Sequence, residues 1–453
     1  MRKATIIGEL GSSRRRNPTV VLVGVIAIVA LGVGLAVLVK QPLGESRRNN
    51  FILDSSKIAT RIPAGRVGSI NNMTSKTYQA TYELVGSFDA VRVIFGSDDE
   101  ENSVKVTEAI VSAPSSADDL NNSNGAWSRV TSQGETEFSI SSAPHENGQT
   151  AYTVSDWLPL TSVDRTDGAG FPLVSVRARM APTSALPVLG NGKDDFTNWA
   201  SRSDGGRKFW WREQEGDHVS DPSGFASSVN RSQSPIFGIQ YLCSGRVVTV
   251  AAVGDSITEG RGSYIGEGFI LPLLEKLNSD SNSTKYEYAN FGWSGQNPAQ
   301  YTERALRLLD SELKPDVLIF PAGSPNPASA GALTDEAVSK IAVGRDSVVA
   351  AAQDQGVVPL IWTWLPTNAT VRSYGTTDAR RVAYNSELLQ LAPNGLLVAD
   401  VAEPLSGPVV GGQVQMAEGL SKDGIHPNDA GNAVIGVAVE PALITALRRS
   451  QQP

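Results

Sequence analysis

Two short stretches of the chain carry residue types that could do covalent chemistry. In the first, the apolar run Val247-Val248-Thr249-Val250-Ala251-Ala252-Val253 stops at Gly254 and is followed by Asp255-Ser256-Ile257-Thr258-Glu259-Gly260. A serine at such a point stands at the carboxyl end of a strand, where open parallel sheets bind their ligands. The second stretch is Ser421-Lys422-Asp423-Gly424-Ile425-His426-Pro427-Asn428, close to the C-terminus. A serine hydroxyl is a weak nucleophile until a base takes its proton and a third group orients that base. Asp423 and His426 are three residues apart in a glycine-containing loop, so the carboxylate can hold one imidazole nitrogen and leave the other for Ser256. Each stretch has a plainer reading by itself: Gly-Asp-Ser caps helices in many proteins, and the second stretch could be a helix-entry loop capped by Asn428. Taken together, in the order Ser, Asp, His, they point to nucleophilic catalysis by an activated serine.

These segments resemble the first and last blocks of the SGNH, or GDSL, hydrolases: Gly254-Asp255-Ser256-Ile257-Thr258-Glu259-Gly260 matches the first, and Asp423-Gly424-Ile425-His426-Pro427 the last. Asn290-Phe291-Gly292-Trp293-Ser294-Gly295 resembles the second block, which implies an oxyanion-hole donor at Gly295. The third block ordinarily reads Gly-x-Asn-Asp, whereas this chain has Gly323-Ser324-Pro325-Asn326, with the asparagine one position late and no acid after it. The resemblance implies a flavodoxin-like three-layer domain, a Ser256/Asp423/His426 triad, an oxyanion hole of Ser256, Gly295 and Asn326, and no cofactor or metal. It covers about residues 245 to 447. No Gly-x-Ser-x-Gly elbow, Walker A sequence or complete Gly-x-Gly-x-x-Gly fingerprint occurs.

The elements that must position these residues are legible as a strand–helix alternation after residue 245. Apolar runs at Val247–Val253, Tyr286–Phe291, Asp316–Pro321, Val357–Trp364 and Leu396–Val401 alternate with helical patterns near 265–279, 298–313, 333–354, 378–390 and 429–447. That rhythm predicts an α/β domain with a parallel sheet and right-handed crossovers. From about 51 to 244 the pattern differs: short alternating runs such as Tyr78–Leu84, Ala90–Phe95, Val104–Val111, Glu137–Ile140 and Val174–Met180 are separated by clusters of Gly, Asn, Asp and Ser. This predicts a β-sandwich-like domain. Trp293, Trp362 and Trp364 are candidates to line a substrate pocket, whereas Trp157, Trp199, Trp210 and Trp211 read first as packing residues. His145 and His218 stand among polar neighbours and are expected at the surface.

Val20 to Val39 is a twenty-residue stretch without a charged group. As a helix it would be about 30 Å long, the thickness of a bilayer's hydrocarbon core. The Arg14-Arg15-Arg16 triplet before it predicts a single span with the N-terminus cytoplasmic and the remainder outside. The expected organisation is therefore tail, anchor and connector over 1–44, a β-rich accessory domain over 45–244 and the hydrolase domain over 245–453. A net charge of −8 and the lack of a long basic run outside the N-terminus argue against a nucleic-acid partner. One cysteine, Cys243, precludes an intramolecular disulfide, and three histidines with that single cysteine make a His/Cys zinc site an unfavourable reading. The expected activity is a membrane-anchored serine ester hydrolase acting on small acyl esters or an acylated glycan. Rival readings are an O-acyltransferase using the same acyl-enzyme and a surface glycan-binding protein with an inert hydrolase fold.

Overall fold

Alternation of side-chain direction along each strand explains the central sheet of the C-terminal part. In β1 (Val247–Gly254), Val250 and Ala252 belong to one apolar core while Ala251 and Val253 belong to another on the opposite face. The same division separates Val317 and Ile319 from Leu318 and Phe320 in β3 (Val317–Pro321). A strand covered on both faces must be apolar on both, which is why these segments read as continuous runs. With β2 (Lys285–Gly292), β4 (Val358–Trp362) and β5 (Leu397–Ala399), they form a parallel sheet in the order β2-β1-β3-β4-β5. That is the flavodoxin-like order, whose switch point lies between β1 and β3.

The helices cover both faces. The short α1 (Ser256–Glu259) follows β1 directly, and α2 (Ile270–Ser279) packs with the C-terminal α6 (Asp429–Arg449) over one face. The other face is covered by α3 (Pro298–Leu309), α4 (Asp335–Asp354) and α5 (Asp378–Leu389). Among the described residues α6 is the one helix long and apolar enough to cross a membrane, but its Ile435, Val439, Leu443 and Leu447 are buried in the domain core. In α3 Leu306 is only partly buried. The buried set is Tyr301, Arg304, Ala305, Leu308 and Leu309, with a charged residue at its centre.

The computed structural model describes residues 54–452, apart from 64–66, 98–103, 117–118, 141–150, 160–171, 191–208, 222–224, 226–228, 231–232, 264–267, 280–283 and 327–331. The apolar segment 20–39, His145 and Trp199 lie outside the described residues. N-terminal to β1 every described ladder is antiparallel. One sheet orders Ile58–Arg61, Ile236–Cys243, Phe88–Ser97 and Ala151–Val154, and another contains Phe209–Glu215, Lys76–Glu83, Leu173–Met180, Val104–Ser116 and Asp119–Arg129. Contacts such as the Phe95–Phe138 ring pair, with centroids 5.5 Å apart, and the Tyr82 hydroxyl donating to the Ile236 carbonyl at 3.1 Å link these two sheets.

The boundary expected near residue 244 is spanned by tight contacts. Ile62 pairs in parallel with Ala289 on β2, the edge strand, where Asn290 N–H donates to the Ile62 carbonyl at 2.8 Å. An open edge is thereby covered by the N-terminal part. The Tyr241 hydroxyl donates to the Glu287 carboxylate in the same seam, Arg92 pairs with Glu312 at 2.8 Å, and Tyr152 packs edge-on against Phe291 with centroids 5.9 Å apart. A single hydrophobic core includes residues from both sides of the boundary. Burial in this seam pushes the Cys243 thiol well above its usual range.

Candidate active site

Ser256 opens α1 because Asp255 caps it: the Asp255 carboxylate accepts the Ile257 N–H at 2.9 Å, and Gly260 ends the turn in a left-handed conformation. Asp255 is the residue that turns the chain from β1 into the helix, leaving the next side chain at the sheet's carboxyl end. The close seating of α1 on β2 depends on Gly292, where an added Cβ would meet the backbone nitrogen of Glu259 at 2.1 Å. Ser256 is buried, with 3% of its surface exposed.

The acid and base come from the loop that leads into α6. Asp423 Oδ1 accepts the backbone N–H groups of Ile425 and His426, at 3.0 and 2.9 Å, which folds the loop back on itself. His426 Nδ1 lies 2.7 Å from Asp423 Oδ2, and His426 Nε2 lies 2.9 Å from Ser256 Oγ. With the proton on Nδ1, the imidazole donates to Asp423 and accepts from Ser256. Gly424, at φ +84°, gives the loop its turn, and its carbonyl accepts the Asn368 N–H at 2.8 Å. An added Cβ there would stand 2.9 Å from Asn368 Cβ, so the loop is braced by the segment after β4. Burial raises the Asp423 carboxyl, but hydrogen bonds from the His426 backbone and ring and from Ile425 outweigh it, leaving the pKa below the usual carboxylate range.

Gly295 lies in the turn after β2, with a positive φ of 86°. Among the described residues, neither its backbone N–H nor that of Ser256 donates to a protein acceptor. Asn326 is half-buried after β3, and its side-chain Nδ2 donates to the Gln296 carbonyl at 3.3 Å. The structure therefore brings Asn326 beside the Gly295-Gln296 turn and brings Ser256, His426 and Asp423 into one hydrogen-bonded line.

Several residues around this line had no signal of their own in the sequence. Ser324 is fully buried and donates its hydroxyl to Asp255. Burial pushes the Asp255 carboxyl above its usual range against the opposing pull of Ser324, Ile257 and the nearby His426. Arg304 reaches back from α3 to donate to the Gly254 carbonyl at 2.6 Å, beneath the Trp293 ring at 5.7 Å. Burial lowers its guanidinium to about 10, although Tyr152, Asp255 and Glu259 pull the other way. A helical pattern assigns an arginine to the solvent side by default, so only packing could place it here.

The tryptophans divide differently from expectation. Trp362 and Trp364 are 1% and 0% exposed and pack against Phe269 and Tyr374, so they are core residues rather than pocket walls. Trp293 is half-buried beside the Gly295 turn. Trp211 is buried in the N-terminal part, whereas Trp157 and Trp210 lie under the guanidinium groups of Arg92 and Arg212. His218 is about a quarter exposed, with its Nε2 2.9 Å from the Glu215 carbonyl.

A parallel β2-β1-β3-β4-β5 sheet bearing a serine, histidine and aspartate in line at its carboxyl end defines an SGNH-type hydrolase domain. Residues 252–434 match the GDSL-like lipase/acylhydrolase family, and this C-terminal part of the chain is a domain of that family. Solved structures similar to it include a putative acylhydrolase from Bacteroides fragilis, 19% identical over 44% of this chain and 88% of that one, with a TM-score of 0.35. A GDSL-like lipase from Bacteroides thetaiotaomicron is 20% identical over 44% and 88%, with a TM-score of 0.34. A psychrotrophic esterase from Pseudoalteromonas is 17% identical over 44% and 98%, with a TM-score of 0.33. No curated protein matches the chain.

Proposed function

We propose that the protein is a serine ester hydrolase in which Ser256 is the nucleophile, His426 the general base and acid, and Asp423 the group that orients His426. The observation that carries this reading is the unbroken line from Ser256 Oγ to His426 Nε2 at 2.9 Å and from His426 Nδ1 to Asp423 Oδ2 at 2.7 Å. As Ser256 Oγ attacks an ester carbonyl, its proton passes to His426 Nε2, and Asp423 stabilises the imidazolium. The carbonyl oxygen becomes anionic, and the Ser256 and Gly295 backbone N–H groups with the Asn326 amide are its donors. Each such donor is typically worth about 3 to 4 kcal/mol in the transition state. Collapse expels the alcohol, protonated by His426. Water, deprotonated by the same imidazole, then releases the acid.

Ser256→Ala is expected to abolish p-nitrophenyl acetate turnover, a loss of roughly 10⁶-fold in kcat, with the circular dichroism unchanged. The purified protein is expected to be labelled by a fluorophosphonate and the alanine variant not. Normal turnover in the variant removes Ser256 from the mechanism.

We read the substrate as a small acyl ester, including acetyl groups on a glycan, and the N-terminal sheets as a β-sandwich-like accessory region. The packing of Phe95 on Phe138 between the two sheets supports the latter. A p-nitrophenyl ester chain-length series tests the former, with acetate expected to be turned over faster than octanoate. We also read residues 20–39 as the membrane anchor, with the hydrolase domain extracytoplasmic. This reading is supported by the twenty uncharged residues and the arginine triplet before them. Deleting residues 1–44 is expected to move activity from the membrane pellet to the soluble fraction; activity that stays in the pellet overturns the anchor.

A further inference from the structure

We propose that Ser324 is the positioning residue of the oxyanion hole: anchored on Asp255, its hydroxyl sets the backbone at Asn326 and so aims the Asn326 amide. The inference rests on the reading of Asn326 as an oxyanion donor. In Gly323-Ser324-Pro325-Asn326 the asparagine stands one residue later than the family pattern places it. Consecutive Cα atoms are about 3.8 Å apart, so an unaltered path would carry the amide well away from its place. The chain must fold back, and Pro325 has no N–H with which to help.

The turn is made by side-chain bonding instead. Ser324 Oγ accepts the Asn326 N–H at 3.1 Å across the proline, the local two-residue bridge that serine hydroxyls offer a backbone. Its single proton is directed to Asp255 Oδ2, and the other oxygen of that carboxylate holds the Ile257 N–H at 2.9 Å. Ser324 and Asp255 are 0% and 1% exposed, so solvent does not compete for the bond between them. Asp255 immediately precedes Ser256, and the oxyanion backbone is thus referenced to the nucleophile itself. On the far side, Asn326 Nδ2 donates to the Gln296 carbonyl at 3.3 Å, next to Gly295. A primary amide has two N–H groups. One is held by Gln296, which fixes the amide plane, and the other remains for the substrate oxygen. Two hydrogen bonds to Ser324, one from Asn326 to Gln296 and the adjacency of Asp255 to Ser256 and of Gln296 to Gly295 therefore link all three donors in one path.

The test is a double-mutant cycle read in kcat and KM with p-nitrophenyl acetate. Ser324→Ala is expected to lower kcat by about 10- to 100-fold with KM changed less than about threefold, because the misplaced donor is needed mainly in the transition state. In an Asn326→Ala background the same change is expected to lower kcat by less than about threefold, since the group it positions is already gone. Equal losses in both backgrounds, or none in either, overturn the proposal. If the alanine variant does not fold, Ser324→Cys keeps the side chain's shape while weakening both hydrogen bonds, and the same comparison applies. Asn326→Ala with full kcat refutes the reading on which this rests, and the proposal with it. An impaired Asn326→Ala beside a fully active Ser324 variant refutes the proposal alone.

Discussion

At the residue scale the site depends on which imidazole nitrogen carries a proton. Asp423 Oδ2 faces His426 Nδ1, and its carboxyl is held below the usual carboxylate range, so it stays an acceptor throughout neutral pH. Asp423→Asn keeps the shape but can present an N–H to Nδ1. The imidazole proton would then move to Nε2, where it faces Ser256 and can accept nothing. We expect kcat to fall by about 10³- to 10⁴-fold with a much smaller change in KM. Stopped-flow turnover of an activated ester measures both, and a loss of less than about tenfold refutes this role for Asp423.

At the scale of elements, the amino end of the sheet carries a titratable group, at the opposite end of the strands from Ser256. Asp316, at the start of β3, accepts the Thr249 N–H from β1 at 2.7 Å and so ties the two central strands together. Burial pushes its carboxyl up to about 6 from 3.8, against the lowering effect of that bond, Arg246 and Lys314. A raised folded-state pKa means the folded protein holds this proton more tightly than the unfolded chain does. There is no cost below the unfolded value of 3.8; this group's contribution to stability is lost as pH rises from there, and the penalty reaches its full size above about 6. The penalty is on the order of 3 kcal/mol. Asp316→Asn keeps an acceptor for Thr249 without the charge. Its melting temperature relative to the parent is expected to be several degrees more favourable at pH 8 than at pH 4. A pH-independent difference between the two proteins contradicts the assignment.

At the scale of the whole molecule, the seam between the N-terminal sheets and the parallel sheet is a continuous core rather than a linker. Ile62 covers the β2 edge, and Glu287, fully buried, is met by Tyr241 from the other side. Cutting at residue 244 would expose that edge together with Ala289 and Phe291. We expect an isolated 245–453 fragment to aggregate or to bind hydrophobic dyes, and a 45–453 protein to run as a folded, active species. Gel filtration with esterase assays distinguishes them. A monomeric 245–453 fragment with full turnover would show that the seam is dispensable.

The strand–helix rhythm after residue 245 is local information, because a two-sided apolar run and an amphipathic helix each announce themselves within about ten residues. Hence the order of elements and most of their limits were readable, down to α4 at 335–354 against the expected 333–354. Ser256, Asp423 and His426 each lie in a short motif whose residue types already suggest a chemistry, and the fold brings the three into one hydrogen-bonded line. What the sequence could not decide depends on groups far apart along the chain. Trp362 ends β4 and Trp364 comes just after it, and both read as pocket residues, yet β4's neighbours and the Tyr374 segment close over them. Arg304 carries the pattern of a solvated helix face and is buried because Gly254, fifty residues earlier, presents its carbonyl there. Ser324 looks like loop filler until Asp255, sixty-nine residues away, is brought against it. Burial and hydrogen-bond partnership are properties of pairs, and only the folded chain specifies the pairs.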